Sequence, residues 1–245
     1  MKQTSPNQRA RPECDADPQR ILSPINDWFQ HQGWSPLPFQ KRTWEAHLQG
    51  LSGLIQVPTG SGKTYAAVMG PIAQMLASAN EQAGIRLLYI TPLRALGRDL
   101  AVALQQPIDA MGWPLRVGIR NGDTPSAERS RQIKKPPEIL ITTPESLCVL
   151  LASRHCEALF KTLDTVVLDE WHELIGSKRG IQAELALSWL RQQRPQLQTW
   201  AISATIGNLE ESARHALGEG CEPCLITGAP KRGLDVTSIL PDSID

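Results

Sequence analysis

Residues 57–64 read Val-Pro-Thr-Gly-Ser-Gly-Lys-Thr, preceded by the apolar run Gly53-Leu54-Ile55-Gln56 and followed by the helix-forming stretch Tyr65-Ala66-Ala67-Val68-Met69. A strand that feeds a glycine-bearing turn opening a helix aims several backbone N–H groups and the positive helix end at one spot, which suits a triphosphate. Lys63 would reach the β- and γ-phosphates as a compact charge and the Thr64 hydroxyl would ligate Mg²⁺, with Pro58, Thr59, Gly60, Ser61 and Gly62 lining the cradle. A chance Gly/Ser turn before a helix is the alternative. Strand, turn, Lys-Thr pair and helix standing together argue against it.

A second group of reactive side chains follows about a hundred residues later. The apolar run Val166-Val167-Leu168 ends in the paired carboxylates Asp169-Glu170, followed by Trp171-His172. Asp169 is placed to hold Mg²⁺, usually through water, and Glu170 to orient or deprotonate an attacking water. A solvated acidic pair is common at strand ends, but the upstream phosphate loop gives this one a partner. Ser203-Ala204-Thr205 then closes another apolar run, where Ser203 and Thr205 can bond the acidic box and relay the state of the phosphate. His172 by itself is more often a hydrogen-bonded core histidine.

Three further loops carry groups suited to sugar-phosphate oxygens: Pro92 and Arg94 in Thr91-Pro92-Leu93-Arg94, Asn121 and Gly122 in Asn121-Gly122-Asp123-Thr124, and Thr142, Thr143 and Pro144 in Thr142-Thr143-Pro144-Glu145-Ser146. Helix N-termini with hydroxyls and an arginine position a strand without reading its bases. Each loop taken singly reads better as a helix cap, since Thr-Pro-Glu is a good helix start; the three together favour the nucleic-acid reading. Ser177-Lys178-Arg179-Gly180 is a short basic loop, open to reading as a surface turn or as a contact with a domain or nucleic acid.

These loops need a scaffold that brings strand ends together, and the apolar pattern supplies one. Strand-like runs at residues 54–57, 86–91, 115–120, 138–142, 165–168 and 199–203 alternate with helical segments near 63–78, 93–111, 126–133, 144–153, 182–193 and 208–217. Strands apolar on both sides that alternate with helices argue for an α/β fold with a doubly wound, mostly parallel sheet flanked by helices. Ligands in such sheets bind at the strand carboxyl ends, where the phosphate loop, the acidic pair, Ser203-Ala204-Thr205 and the three sugar-phosphate loops fall. Upstream, Ser23-Pro24 reads as an N-cap with proline at the first helical position, opening a helix through Trp28 and Phe29. A second helix is expected over about residues 39–48. Residues 1–20 are polar and punctuated by prolines, and read as a mobile tail.

Composition adds bounds. Of 245 residues, 41% are hydrophobic and 20% charged, an ordinary globular composition. Lys and Arg number 25 and Asp and Glu 25, so the formal charge is zero; any nucleic-acid contact must come from a local surface. No apolar run approaches the ~18 to 20 residues of a membrane span, and Met1-Lys2-Gln3-Thr4-Ser5 lacks a secretory apolar core. A cytoplasmic location is the expectation. Five cysteines, an odd count, argue against a disulfide framework. Cys221-Glu222-Pro223-Cys224 has the spacing of half a zinc site or a redox pair, but no second Cys/His pair follows, and turn or core cysteines are the plainer reading.

The segments Asn121-Gly122-Asp123-Thr124-Pro125-Ser126-Ala127-Glu128-Arg129, Ile141-Thr142-Thr143-Pro144-Glu145-Ser146-Leu147, Asp169-Glu170-Trp171-His172-Glu173-Leu174-Ile175-Gly176-Ser177-Lys178-Arg179-Gly180 and Ser203-Ala204-Thr205-Ile206-Gly207-Asn208-Leu209 resemble the ligase-associated DEXH-box helicases. These are a bacterial branch of the large helicase-related (Lhr) proteins of superfamily 2, and Trp171 within the box marks the branch. The likeness covers about residues 21–240. Val57 departs from the general pattern, which has glycine there, but such translocases commonly carry a small or apolar residue at that position. The resemblance implies a RecA-like ATP-binding domain over residues 21–228, with 229–245 starting a linker to a second RecA-like domain. It makes His172 the connection between the nucleotide site and Ser203 and Thr205. Gln40, in Pro38-Phe39-Gln40, would read adenine through its side-chain amide; Trp28 or Trp34 would either stack on the base or lie in the core. ATP and Mg²⁺ are the implied cofactors. Single-stranded DNA is the implied partner, with RNA or a hybrid as alternatives, in 3′-to-5′ translocation and unwinding during DNA repair beside an ATP-dependent DNA ligase and a nuclease.

Such enzymes close ATP between two RecA-like domains, and the sequence reaches Asp245 where the second is expected to begin. It holds no Gln-X-X-Gly-Arg-X-X-Arg segment, so no arginine finger is expected within it. The reading from sequence is therefore a first motor domain carrying about half an ATP site. A truncated, non-catalytic nucleotide- or nucleic-acid-binding module is the rival. A small-molecule kinase with a phosphate loop is disfavoured by the ordered Asp169-Glu170-Trp171-His172 and Ser203-Ala204-Thr205.

Overall fold

The computed structural model describes residues 17–78, 84–204, 207–218 and 220–228. Strands β1 (Gly53–Gln56), β2 (Leu87–Ile90), β3 (Val117–Arg120), β4 (Ile139–Thr142), β5 (Thr165–Leu168), β6 (Gln198–Ser203) and β7 (Cys224–Thr227) form one sheet in the order β3, β4, β2, β5, β6, β1, β7. Every pairing is parallel. The central strands β2, β4 and β5 are buried at every position, because helices cover both faces and leave no side for water.

Alternate residues on each strand serve opposite layers. Ile55, Tyr89, Ile141, Val167 and Ile202 pack with α1 (Pro18–His31), α2 (Pro38–Leu48), α3 (Lys63–Ala77) and α4 (Arg94–Met111). Leu54, Leu88, Leu140, Val166 and Ala201 pack with α6 (Pro144–Leu151), α7 (Cys156–Phe160), α8 (Trp171–Leu174), α9 (Lys178–Gln193) and α10 (Leu209–Leu217). The remaining helix, α5 (Ser126–Lys134), covers the edge strand β3. There the Gln132 amide donates to the Ile119 carbonyl at 3.0 Å and Arg120 donates to the Arg129 carbonyl at 3.0 Å, which blunts an otherwise open edge.

The strand order divides the carboxyl edge into two halves. β5, β6 and β1 are neighbours, so Asp169 just after β5, Ser203 at the end of β6 and Lys63 at the start of the helix after β1 share one stretch of the edge. β3, β4 and β2 are also neighbours, and their loops carry Asn121, Thr143 and Arg94. The register keeps the second group level, with Arg120 opposite Thr142 and Thr142 opposite Ile90.

Several elements differ from the sequence reading. The first helix starts at Pro18 rather than after Ser23, with the Asp17 carboxylate accepting from the Gln19 N–H at 3.0 Å and Pro24 inside the helix. The reason is a buried stripe of Leu22, Ile25, Trp28 and Phe29, whose packing extends the helix ahead of Pro24. Residues 18–20 therefore leave the tail and join α1. Residues 1–16 and 229–245 lie outside the described residues. Helix α9 starts at Lys178, where the Ser177 hydroxyl accepts from the Gly180 N–H at 3.0 Å. Gly180 lies so close to the Leu174 carbonyl that a Cβ there would collide with it. The short elements α7, α8 and β7 are too brief to leave a periodic signal in the sequence. Among the described residues no helix is long and apolar enough to cross a membrane.

Candidate functional site

The loop between β1 and α3 has the geometry of a phosphate cradle. Gly60 and Gly62 take φ of +75° and +84°, a region that a Cβ disfavours. Gly62 is the N-cap of α3, and no side chain caps that end. The first amides of the helix and its positive dipole end are thus left to a ligand. Ser61 closes the turn through its hydroxyl to the Pro58 carbonyl at 2.6 Å, and the Val57 N–H donates to the Ser203 carbonyl at 3.2 Å, tying the loop to β6.

Lys63 reaches across to β5, where its ammonium donates to Glu170 Oε1 at 2.5 Å; the two side chains are only 8% and 17% exposed. Glu170 has φ +43°, and among the described residues it alone shows a positive φ without being glycine. Such a conformation costs on the order of 1–3 kcal/mol and gathers at functional sites. Here the Glu170 N–H bonds Asp169 Oδ1 at 3.0 Å and its carbonyl accepts from the Glu173 N–H at 2.8 Å. His172 Nδ1 lies 3.5 Å from Glu170 Oε2 and 3.2 Å from the hydroxyl of Ser203, which is fully buried. A continuous chain of polar contacts therefore runs from Lys63 through Glu170 and His172 to Ser203. Thr205 lies outside the described residues. Trp171 points the other way, fully buried, with its indole N–H on the Ser212 carbonyl at 2.9 Å; it anchors α8 to α10.

Burial, and after it the negative charge of Glu170, pushes the Asp169 carboxyl up to about 6. A cation held there reverses that balance, since its charge favours the carboxylate. Tyr89, on β2, places its fully buried hydroxyl close to Asp169 and Thr64, yet in hydrogen-bond geometry with neither. An unsatisfied buried hydroxyl costs about 1–3 kcal/mol. The set of one hydroxyl ligand, one carboxylate and one unpaired buried hydroxyl fits a hydrated Mg²⁺, which binds through one or two carboxylates and keeps several waters. Among the described residues no cluster of three or more His, Cys, Asp or Glu could hold a metal, and Cys221 and Cys224 are free thiols.

Gln40 has both ends of its amide engaged. Its Oε1 accepts from the Leu37 N–H at 2.8 Å and its Nε2 donates to the Gly62 carbonyl at 3.0 Å, so in this state it clamps α2 to the phosphate loop. Trp28 is core, packed edge-on against Phe29, Trp34 and Tyr65. Trp34 is 47% exposed beside Tyr65.

On the other half of the edge the local turns absorb much of the polarity. Asn121 is buried, its side-chain oxygen accepting from the Asp123 N–H at 2.9 Å. The Thr142 hydroxyl donates to the Arg120 carbonyl at 2.7 Å, and Thr143 caps α6 with Pro144 in its first turn. The cap geometry thus describes Thr143 well. Arg94 is an exposed cation, 57% open and paired with Asp123 at 3.1 Å, its guanidinium laid over Gly122 where a Cβ would collide. One contact had been left open by the sequence. Arg179 donates to the Pro92 carbonyl at 3.1 Å and pairs with Glu145 at 2.6 Å, stapling the loop after β2 to the start of α6. Tyr89 gave no sequence signal, because a strand pattern asks only for bulk at its position.

Comparison with known proteins identifies the family and the fold. Residues 37–212 match the family described as DEAD/DEAH box helicase. The chain is 37% identical, over 86% of its length, to the Lhr helicase/uracil glycosylase of Escherichia coli (strain K12), of which it covers 15%. It is 35% identical, over 88% of its length, to the ATP-dependent helicase Lhr-Core protein 2 of Thermococcus barophilus, of which it covers 26%. The solved Mycobacterium smegmatis helicase Lhr, bound to ssDNA and AMP-PNP, matches with a TM-score of 0.78 and 34% identity, over 88% of this chain and 29% of that one. The chain spans roughly a quarter or less of the curated relatives named here.

Proposed function

We propose that this chain, which belongs to the DEAD/DEAH box helicase family, is the first motor domain of an ATP-dependent nucleic-acid translocase. Nucleotide is handled on the β1, β6, β5 half of one sheet edge and the nucleic-acid strand on the β2, β4, β3 half. The observation that carries the reading is the Lys63–Glu170 pair at 2.5 Å, set against the uncapped end of α3.

In the free protein Lys63 and Glu170 neutralise each other. A triphosphate seated on the α3 N-terminus offers Lys63 anionic oxygens, and transfer of the ammonium to them leaves Glu170 an unpaired base beside the γ-phosphate. Thr64 and Asp169 would hold Mg²⁺, which supplies charge neutralisation on the phosphates. His172 links Glu170 to Ser203, so a change at the base is passed to the loop after β6. Gln40 would exchange its bond to Gly62 for the adenine edge. The finer reading makes the whole enzyme a cytoplasmic 3′-to-5′ DNA helicase of repair, working beside an ATP-dependent DNA ligase and a nuclease. Its support is the likeness of the Trp171-bearing box and the neighbouring motifs.

Two substitutions test the two halves. Gln40→Ala is expected to narrow the preference for ATP over GTP in competition titrations; an equal loss for both nucleotides would leave Gln40 only its clamp. Single-stranded DNA is expected to bind weakly, with a shallow salt dependence, because few charges take part. Arg94→Ala should lower the affinity and flatten the salt slope by about 0.7, one phosphate's share on a single strand. Unchanged low-salt polarisation titrations would return Arg94 to its pairing with Asp123 alone.

A further inference from the structure

Tyr89 stands third in Leu87-Leu88-Tyr89-Ile90, where a buried parallel strand asks for bulk and nothing more. Its ring lies in the layer shared with α3, opposite Val167 in register and so two residues short of Asp169 on the neighbouring strand. A phenylalanine would fill the same space. The hydroxyl is instead fully buried, faces Asp169 and Thr64 as its polar neighbours, and makes no well-formed hydrogen bond to either. A buried polar group without a partner calls for one, and the nearest polar groups are those that would hold the cation.

We propose that Tyr89 is a positioning residue of the cation site: its oxygen accepts from a water of the Mg²⁺ shell and its proton is donated to Asp169. This rests on the nucleotide-site reading above. A ligand carboxylate fixed by such an outer hydrogen bond binds its metal more tightly, and loss of outer-shell partners typically costs about 10-fold or more in metal affinity.

The test is Tyr89→Phe, with AMP-PNP binding followed by calorimetry as Mg²⁺ is titrated, and with thermal unfolding of the metal-free proteins. The expected result is a rise of about 10-fold in half-saturating Mg²⁺, with nucleotide affinity in chelator unchanged and the metal-free variant at least as stable as the wild type. Unchanged Mg²⁺ dependence in the variant, beside a normal wild type, overturns the role of Tyr89 and leaves the nucleotide site standing. Equal weakening with and without Mg²⁺ also overturns it, by showing a packing defect. A wild type whose nucleotide binding ignores Mg²⁺ overturns both readings.

Discussion

Residues 1–245 alone are expected to hydrolyse ATP about 10³- to 10⁵-fold more slowly than the same residues fused to the second RecA-like domain of a relative. Lys63, the α3 N-terminus and Glu170 all belong to one sheet edge, so under the proposed function they would approach a bound triphosphate from one side. The charge that develops on the transferring phosphoryl group needs a cation from the opposite side, and an arginine finger supplies that factor. The 245 residues contain no Gln-X-X-Gly-Arg-X-X-Arg segment to provide it. Glu170→Gln should therefore change the slow turnover of the lone chain little and abolish the fast turnover of the fusion. A DNA-stimulated ATPase assay on both forms checks this. Robust DNA-dependent turnover by the lone chain, lost in Glu170→Gln, would make it a self-sufficient ATPase.

Lys63→Ala is expected to weaken Mg·ATP by more than ~1.4 kcal/mol, a tenfold change, through loss of a charge-assisted phosphate contact. A second effect accompanies it. Glu170, only 17% exposed, loses its counter-ion and stands as an unpaired negative charge beside the arriving triphosphate. Removing one partner of a buried pair can cost several kcal/mol of stability. Lys63→Ala combined with Glu170→Gln removes that stranded charge while still lacking the phosphate contact. The double variant should unfold near the wild-type temperature yet bind nucleotide weakly, which separates binding from folding.

Legibility in the sequence followed the range of the interactions involved. The glycine turn that opens α3 was readable because its signals lie within a few residues, and the alternating apolar runs carried the parallel sheet for the same reason. The start of α1 was misplaced because two Asp/Ser-Pro signatures compete, and only the packing of Leu22 and Ile25 decides between them. β7 is four residues long, Cys224-Leu225-Ile226-Thr227, too short for a periodic signal, and it exists by pairing with β1. Gln40 had the right type for a base contact, but its bonds to Leu37 and Gly62 depend on how α2 meets the loop. The same holds for Arg179, whose partners Pro92 and Glu145 lie far away in sequence. Tyr89 differs again, since its hydroxyl acquires meaning only where β2 lies beside β5.

The most direct test of the account is a calorimetric titration of Mg·AMP-PNP into residues 1–245, run in parallel on the wild type and on Lys63→Ala combined with Glu170→Gln, with unfolding temperatures recorded for both. The expected result is one saturable site in the wild type, weakened more than tenfold in a variant that remains folded. Equal affinity in two folded proteins would contradict the account, because nucleotide would then bind without the lysine on which the whole site converges.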